Sequence, residues 1–138
     1  MANQATVIWK EGKHFEGSTM GHSIQIDAPT PTGTDQGMSP MALLLMALGG
    51  CTGMDVINIL TKERKQVTSL SIEVNAERAA EIPTVYTEIQ LTFKIRGHQL
   101  THEAVERAVQ LSEEKYCSVG IMLSKTARIK TVIEIEEG

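Results

Sequence analysis

Residues 39–62, SPMALLLMALGGCTGMDVINILTK, decide the architecture. Ser39 can accept hydrogen bonds from the free N–H groups of a first turn, and Pro40 has no N–H to leave unpaired, so a helix is expected to begin at Pro40. Its far end falls among Lys62, Glu63, Arg64 and Lys65, where the cations complement the negative end of the helix dipole. About 25 residues at ~1.5 Å rise give a rod of about 37 Å. The second half is amphipathic, with Val56, Ile59, Leu60 and Val67 on one side and Asp55, Asn58 and Lys62 on another. The first half is apolar all round and requires cover on every side. A small sheet shields one face only, so either the second helix or another subunit covers the rest, and an intertwined homodimer is the favoured expectation.

The Leu48-Gly49-Gly50-Cys51 tetrad has the look of a lipoprotein cleavage box, yet its position argues against export. A secretory signal is N-terminal with a basic segment just ahead of its apolar region. Here no Lys or Arg lies between Lys13 and Lys62. The apolar run from Pro40 to Gly50 is also shorter than the ~20 residues of a membrane-crossing helix, and Asp55 follows it. The expectation is a buried helix in a cytoplasmic protein with no membrane partner.

The chain has 138 residues, which suits a single domain over 1–138 with a core of its own. A net charge of -4 and few aromatic residues give neither a basic field nor a stacking platform, so no nucleic-acid partner is expected. The only two cysteines, Cys51 and Cys117, suit neither a disulfide-rich scaffold nor a four-ligand zinc site, and a reducing compartment is the expectation.

Outward from the helix, residues 5–28 read as a β-meander, with turns at Glu11-Gly12 and Met20-Gly21. The breaker-rich stretch 29–38 is an exposed connection, either a plain linker or the border of a site. Residues 69–79 and 85–96 alternate as two strands, joined by a turn at Glu81-Ile82-Pro83-Thr84 into an antiparallel pair. Thr101 caps a second helix, with Val105, Ala108, Val109 and Ser112 at helical spacing up to Tyr116. A short helical piece from Ser118 and a strand, ARIKTVIEI, complete the order βββ-α-ββ-α-β. The fold class is α+β, with antiparallel sheets packed on a long central helix.

Cys51 and Cys117 are the chemistry candidates. From pattern alone, two scattered cysteines read more readily as small buried hydrophobes. Gly49 and Gly50 each cost ~1 kcal/mol relative to Ala in an exposed helix; tight helix packing and clearance for a substrate both account for them. Cys117 precedes a short helix, where a thiolate is favoured. His98 and His102 straddle a strand-to-helix junction, so no metal site is assigned. Asp55 stands one turn after Cys51, but a carboxylate beside a thiol raises its pKa, and it receives no catalytic role.

Two segments carry more than pattern. SPMALLLMALGGCTGMDVINIL and LSEEKYCSVGIMLSK, in this element order, resemble the osmotically inducible protein C and organic hydroperoxide resistance (OsmC/Ohr) family, with the YhfA-type subgroup the nearest branch. The resemblance spans essentially the whole chain. It implies an intertwined homodimer with sites at the subunit interface, and Cys51 and Cys117 match its two cysteine positions. In peroxidase members the first thiolate attacks an organic hydroperoxide and becomes a sulfenic acid, which the second cysteine converts to a disulfide. No bound cofactor is implied; an external dithiol, a lipoyl group in some members, restores the enzyme. The implied alternative is a non-catalytic redox-sensing or small-ligand-binding protein on the same scaffold, taking an apolar ligand. Two departures stand out. Peroxidase members carry an acidic residue just after the helix-starting proline and an N-terminal arginine that pairs with it, whereas Met41 and Ala42 follow Pro40 here and the first arginine is Arg64. The family's proline after the second cysteine is Ser118 in this chain.

Overall fold

The computed structural model describes residues 3–138, which form two compact units divided between Leu44 and Leu45.

The first unit is the meander. Strands β1 (Thr6–Glu11), β2 (His14–Thr19) and β3 (His22–Ile26) form an antiparallel sheet in sequence order. The β2–β3 hairpin turns on Met20 and Gly21, both at positive φ (54° and 81°), the backbone twist that two-residue hairpins favour. The loop after β3 is mostly exposed, as expected, but it is far from structureless. Met38 pairs back onto β3, with Met38 N–H donating to the Gln25 carbonyl at 3.2 Å and Asp27 N–H to the Met38 carbonyl at 3.1 Å. Gly37 lies so close to the Gln25 carbonyl that a Cβ there would collide with it. Within the loop, the buried Asp27 carboxylate accepts from Ala28 N–H (2.7 Å), the Thr34 hydroxyl (2.7 Å) and Gln36 N–H (3.1 Å). These bonds, that of Thr34 foremost, hold its carboxyl down at about 2 against the opposing effect of burial.

Helix α1 spans Pro40–Lys62. It starts as the sequence predicts, with Ser39 Oγ accepting from Ala42 N–H at 3.1 Å. It ends at Lys62, the first residue of the basic cluster expected to close it. Arg64 takes a left-handed conformation (φ 61°), while Arg64 N–H bonds to the Thr61 carbonyl and Lys65 N–H to that of Leu60, each at 2.9 Å. This is a Schellman closure built without glycine. Val67 therefore leaves the helical face predicted for it and enters the next strand.

In the second unit, β4 (Gln66–Arg78) and β5 (Tyr86–His98) pair antiparallel. Arg78 ties their connecting loop by donating to the Thr84 carbonyl at 2.8 Å. Helix α2 (His102–Leu111) begins at Thr101, whose hydroxyl accepts from Ala104 N–H at 3.1 Å. A π-helical turn, Ser112–Tyr116, extends it to the predicted end, and α3 (Ser118–Leu123) follows. The last strand, β6 (Arg128–Glu137), joins β5 in parallel, giving the order β4-β5-β6. The expectation of antiparallel sheets thus needs one correction: this sheet is mixed. The helical connection through α2 and α3 is a crossover, which returns the chain in the direction of β5.

The register places Leu70, Ile72, Val74 and Ala76 beside Ile95, Phe93, Leu91 and Ile89, and these beside Ile135, Ile133, Thr131 and Ile129. Side chains alternate along a strand, so all twelve share one face. Val105, Ala108, Val109 and Ser112 of the α2 region are buried, as their spacing predicts, and so is Ala104. On α1 the buried residues are Leu48, Gly49, Thr52, Val56 and Leu60, a narrow stripe. Cβ atoms at Gly49 and Gly53 would stand 3.2 Å from Val74 Cγ2 and 3.1 Å from Ile72 Cδ1, so these glycines let α1 pack tightly on β4. The helix is not buried all round within one chain: Leu44, Met46, Met54 and Ile57 are exposed, Met54 at 76%. Its most apolar window has a mean hydropathy of 1.7, enough by length and composition to cross a membrane. The core helix of a soluble-type fold meets the same test, and the stripe packed on β4 gives α1 that role.

Candidate functional site

Three side chains converge where α1 passes the junction between the π-helical turn and α3. The sulfurs of Cys51 and Cys117 and a carboxylate oxygen of Asp55 all lie within 4.8 Å of one another. The helix brings Cys51 and Asp55 to one face by their four-residue spacing, beside the stripe that seats α1 on the sheet. Cys117 arrives from the other side. Its extended backbone (φ -81°, ψ 95°) terminates the π-helical turn and caps α3.

The two thiols differ in environment. Both are free, Cys51 being partly exposed and Cys117 buried. The Cys117 sulfur accepts from Gly120 N–H at 3.2 Å and from the Thr52 hydroxyl at 3.5 Å. A serine at a helix cap accepts in the same way. Burial pushes the Cys117 thiol up, the Thr52 hydroxyl pulls it down, Cys51 beside it raises it again, and the Gly120 N–H opposes that. The balance is upward, because desolvation outweighs two hydrogen bonds that favour the thiolate. The expected position at a helix start is found, and burial overrides the thiolate preference expected of it.

Asp55 is held by the buried Ser112, whose hydroxyl donates to Oδ2 at 2.7 Å. Gly120 is equally constrained, since a Cβ there would stand 3.2 Å from the Cys117 sulfur and 3.3 Å from Leu48 Cδ1. Gly50 differs from its neighbours: a Cβ at that position would meet nothing within 4 Å. Behind Cys117 lies a cavity of about 100 Å³, lined by Leu48, Leu91, Val109, Ile129 and Thr131 among others. A wider recess of about 340 Å³ on the Asp55 side is bordered by Ile59, Lys62, Leu111 and Tyr116.

The sequence relates the cysteines only through a resemblance, places Ser112 on a helical face without a role, and gives Thr52 and Gly120 none. One signal for Ser112 was legible, as it is the hydroxyl on an otherwise apolar helical face. His98 and His102 face different partners, Glu137 at 3.8 Å and Glu106 at 3.2 Å.

Residues 33–132 match the model of the OsmC-like protein family. The chain belongs to this family. Among OsmC-like relatives it is similar to protein YhfA of Escherichia coli K12, with 44% identity over 133 residues that cover 96% of this chain and 97% of YhfA. A hypothetical protein from Aquifex aeolicus VF5 shares 30% identity with a TM-score of 0.89, over 100% of this chain and 98% of that one. The OsmC-like fold also matches the organic hydroperoxide resistance protein OhrB of Bacillus subtilis at a TM-score of 0.66, with 13% identity over 97% and 98% of the two chains. At that identity the likeness is one of fold.

Proposed function

We propose that this chain is a cytoplasmic, thiol-dependent peroxidase acting on organic hydroperoxides, with Cys51 peroxidatic and Cys117 resolving. The observation that carries the reading is the pair of free thiols within 4.8 Å, one partly exposed and one buried, in an OsmC-like chain. The Cys51 thiolate attacks the outer peroxide oxygen, the O–O bond breaks, and the alkoxide leaves and takes a proton to become an alcohol. Cys51 is then a sulfenic acid. The Cys117 sulfur attacks it, hydroxide leaves and is protonated to water, and a disulfide forms. Closing to the ~2.05 Å of an S–S bond needs a local shift. An external dithiol reduces the disulfide and is itself oxidised.

The difference in burial supports this assignment of roles, because a peroxidatic thiol must meet a substrate that a resolving thiol need not. Cys117 favours its proton, so a Cys51 thiolate would have an S–H beside it. The absence of the acid at Met41 and Ala42 and of any arginine before Arg64 predicts slow turnover compared with members that carry the pair. The assembly in this reading is an intertwined homodimer: Leu44, Met46 and Met54 on α1 and Val7, Ile8 and Trp9 on β1 are exposed apolar residues that a second copy would cover.

The test is consumption of cumene hydroperoxide with dihydrolipoamide as reductant. Wild type should turn over and form a Cys51–Cys117 disulfide, whereas Cys51→Ser should do neither. Equal, slow consumption by both would end the enzyme reading. A non-catalytic small-ligand role is favoured by one observation, the apolar cavity behind Cys117. It predicts thermal stabilisation by small apolar ligands without turnover.

A further inference from the structure

The chemistry of the Cys51, Asp55 and Cys117 triad goes beyond redox exchange. We propose that these three side chains bind a thiophilic divalent cation, zinc being the type ion, through two thiolates and one carboxylate, with a fourth position open to solvent or a small ligand. The ligand atoms lie within 4.8 Å of one another. In a tetrahedral site, Zn–S of ~2.3 Å and Zn–O of ~2.0–2.2 Å put neighbouring ligand atoms about 3.5–3.8 Å apart. From separations of no more than 4.8 Å, the triad closes on an ion by at most about 1 Å, within the range of side-chain torsions.

Two features make this a built arrangement. Cys51 and Asp55 come from successive turns of one rigid helix, and Cys117 from a cap whose backbone is fixed on both sides. Around the three stand donors of the kind that orient metal ligands. Ser112, buried and bonded to Asp55 Oδ2, fixes the carboxylate. Gly120 N–H and the Thr52 hydroxyl point at the Cys117 sulfur and favour its thiolate. A divalent ion would supply the positive charge that the buried sulfur otherwise lacks among its hydrogen-bond partners. Two sulfur ligands select against calcium and magnesium, which require oxygen. Binding releases the two thiol protons to solvent, and no electron transfer is involved. The proposal stands on the triad and not on the peroxidase reading. Were both to hold, the ion would occupy both sulfurs and silence the loaded chain toward hydroperoxide.

The experiment uses the reduced full-length chain under anaerobic conditions. Cobalt(II) serves as the spectroscopic probe, and zinc affinity is read by competition with a chromophoric chelator. Wild type should bind one ion per chain, show thiolate-to-cobalt charge-transfer absorption in the near ultraviolet, and release two protons per ion. Cys51→Ser or Cys117→Ser should abolish the charge-transfer absorption of the two-thiolate site. Asp55→Asn should weaken zinc binding, and Ser112→Ala should do so by about 10- to 100-fold. Circular dichroism checks the fold of each variant. Wild type blocked with N-ethylmaleimide should also lose the ion, which removes dependence on any substitution. Absence of thiolate-to-cobalt absorption in the wild type overturns the proposal, as does an Asp55→Asn affinity equal to that of wild type.

Discussion

The Thr52 hydroxyl, on the buried stripe of α1, points across to the sulfur of Cys117 at 3.5 Å. This bond opposes the effect of burial on the thiol. Thr52→Val keeps the shape and removes the donor. The Cys117 thiol should then titrate at higher pH than in wild type, and stability should fall by roughly 0.5–1.5 kcal/mol. Alkylation of Cys117 as a function of pH, followed by mass spectrometry, together with urea melts, checks both effects.

The raised Cys117 thiol also fixes a sign for the alkaline limb of stability. Its folded pKa lies above the ordinary 9.0, so its contribution is complete below 9.0 and is lost as pH rises from there through the folded value. Melting temperatures of the reduced, metal-free chain should fall more steeply above pH 9 in wild type than in Cys117→Ala. Parallel curves would remove Cys117 as the source.

Asp27 governs the acid limb with the opposite sign. Its carboxyl titrates at about 2 in the fold against an ordinary 3.8, so its contribution is present above 3.8 and is lost as pH falls from 3.8 through about 2. Asp27→Asn should be less stable than wild type near neutrality and should show a flatter decline over that window. Thermal melts between pH 5 and pH 2 measure it.

The α1 glycines should separate by what surrounds them. Gly50→Ala meets nothing and gains helix propensity, so it should stabilise by about 0.5–1 kcal/mol. Gly49→Ala and Gly53→Ala press on Val74 and Ile72 and should give less or reverse sign. If hydroperoxide reaches Cys51 over position 50, Gly50→Ala should also raise KM, which a steady-state assay reads.

Arg64 holds a left-handed conformation that glycine adopts freely. Arg64→Gly should stabilise the α1 terminus by about 0.5–1 kcal/mol, measured by urea unfolding.

These sites also mark how far the sequence could be read. Ser39-Pro40 and Thr101 name their helix starts because capping is local chemistry, and both bonds are found. The end of α1 falls in the basic cluster named for it, yet Val67 reads as part of its face, because the Schellman closure sits on an arginine where glycine would have announced it. The parallel seat of β6 was hidden as well, since alternation reports which face a strand buries and not which way its neighbour runs. At the site, spacing within one helix relates Cys51 to Asp55. Nothing local relates either to Cys117, Thr52 to its sulfur, or Ser112 to Asp55, because those contacts are set by tertiary packing.

The parallel place of β6 bears on the protein's synthesis. Ile129 and Thr131 of that strand wall the cavity behind Cys117, and β6 can pair with β5 only after the whole crossover has been laid down. A nascent chain released through residue 127 therefore carries Cys51 and Cys117 with the cavity still open on one side. The wall that Ile129 and Thr131 give this cavity is thus laid down only after both thiols are in the chain.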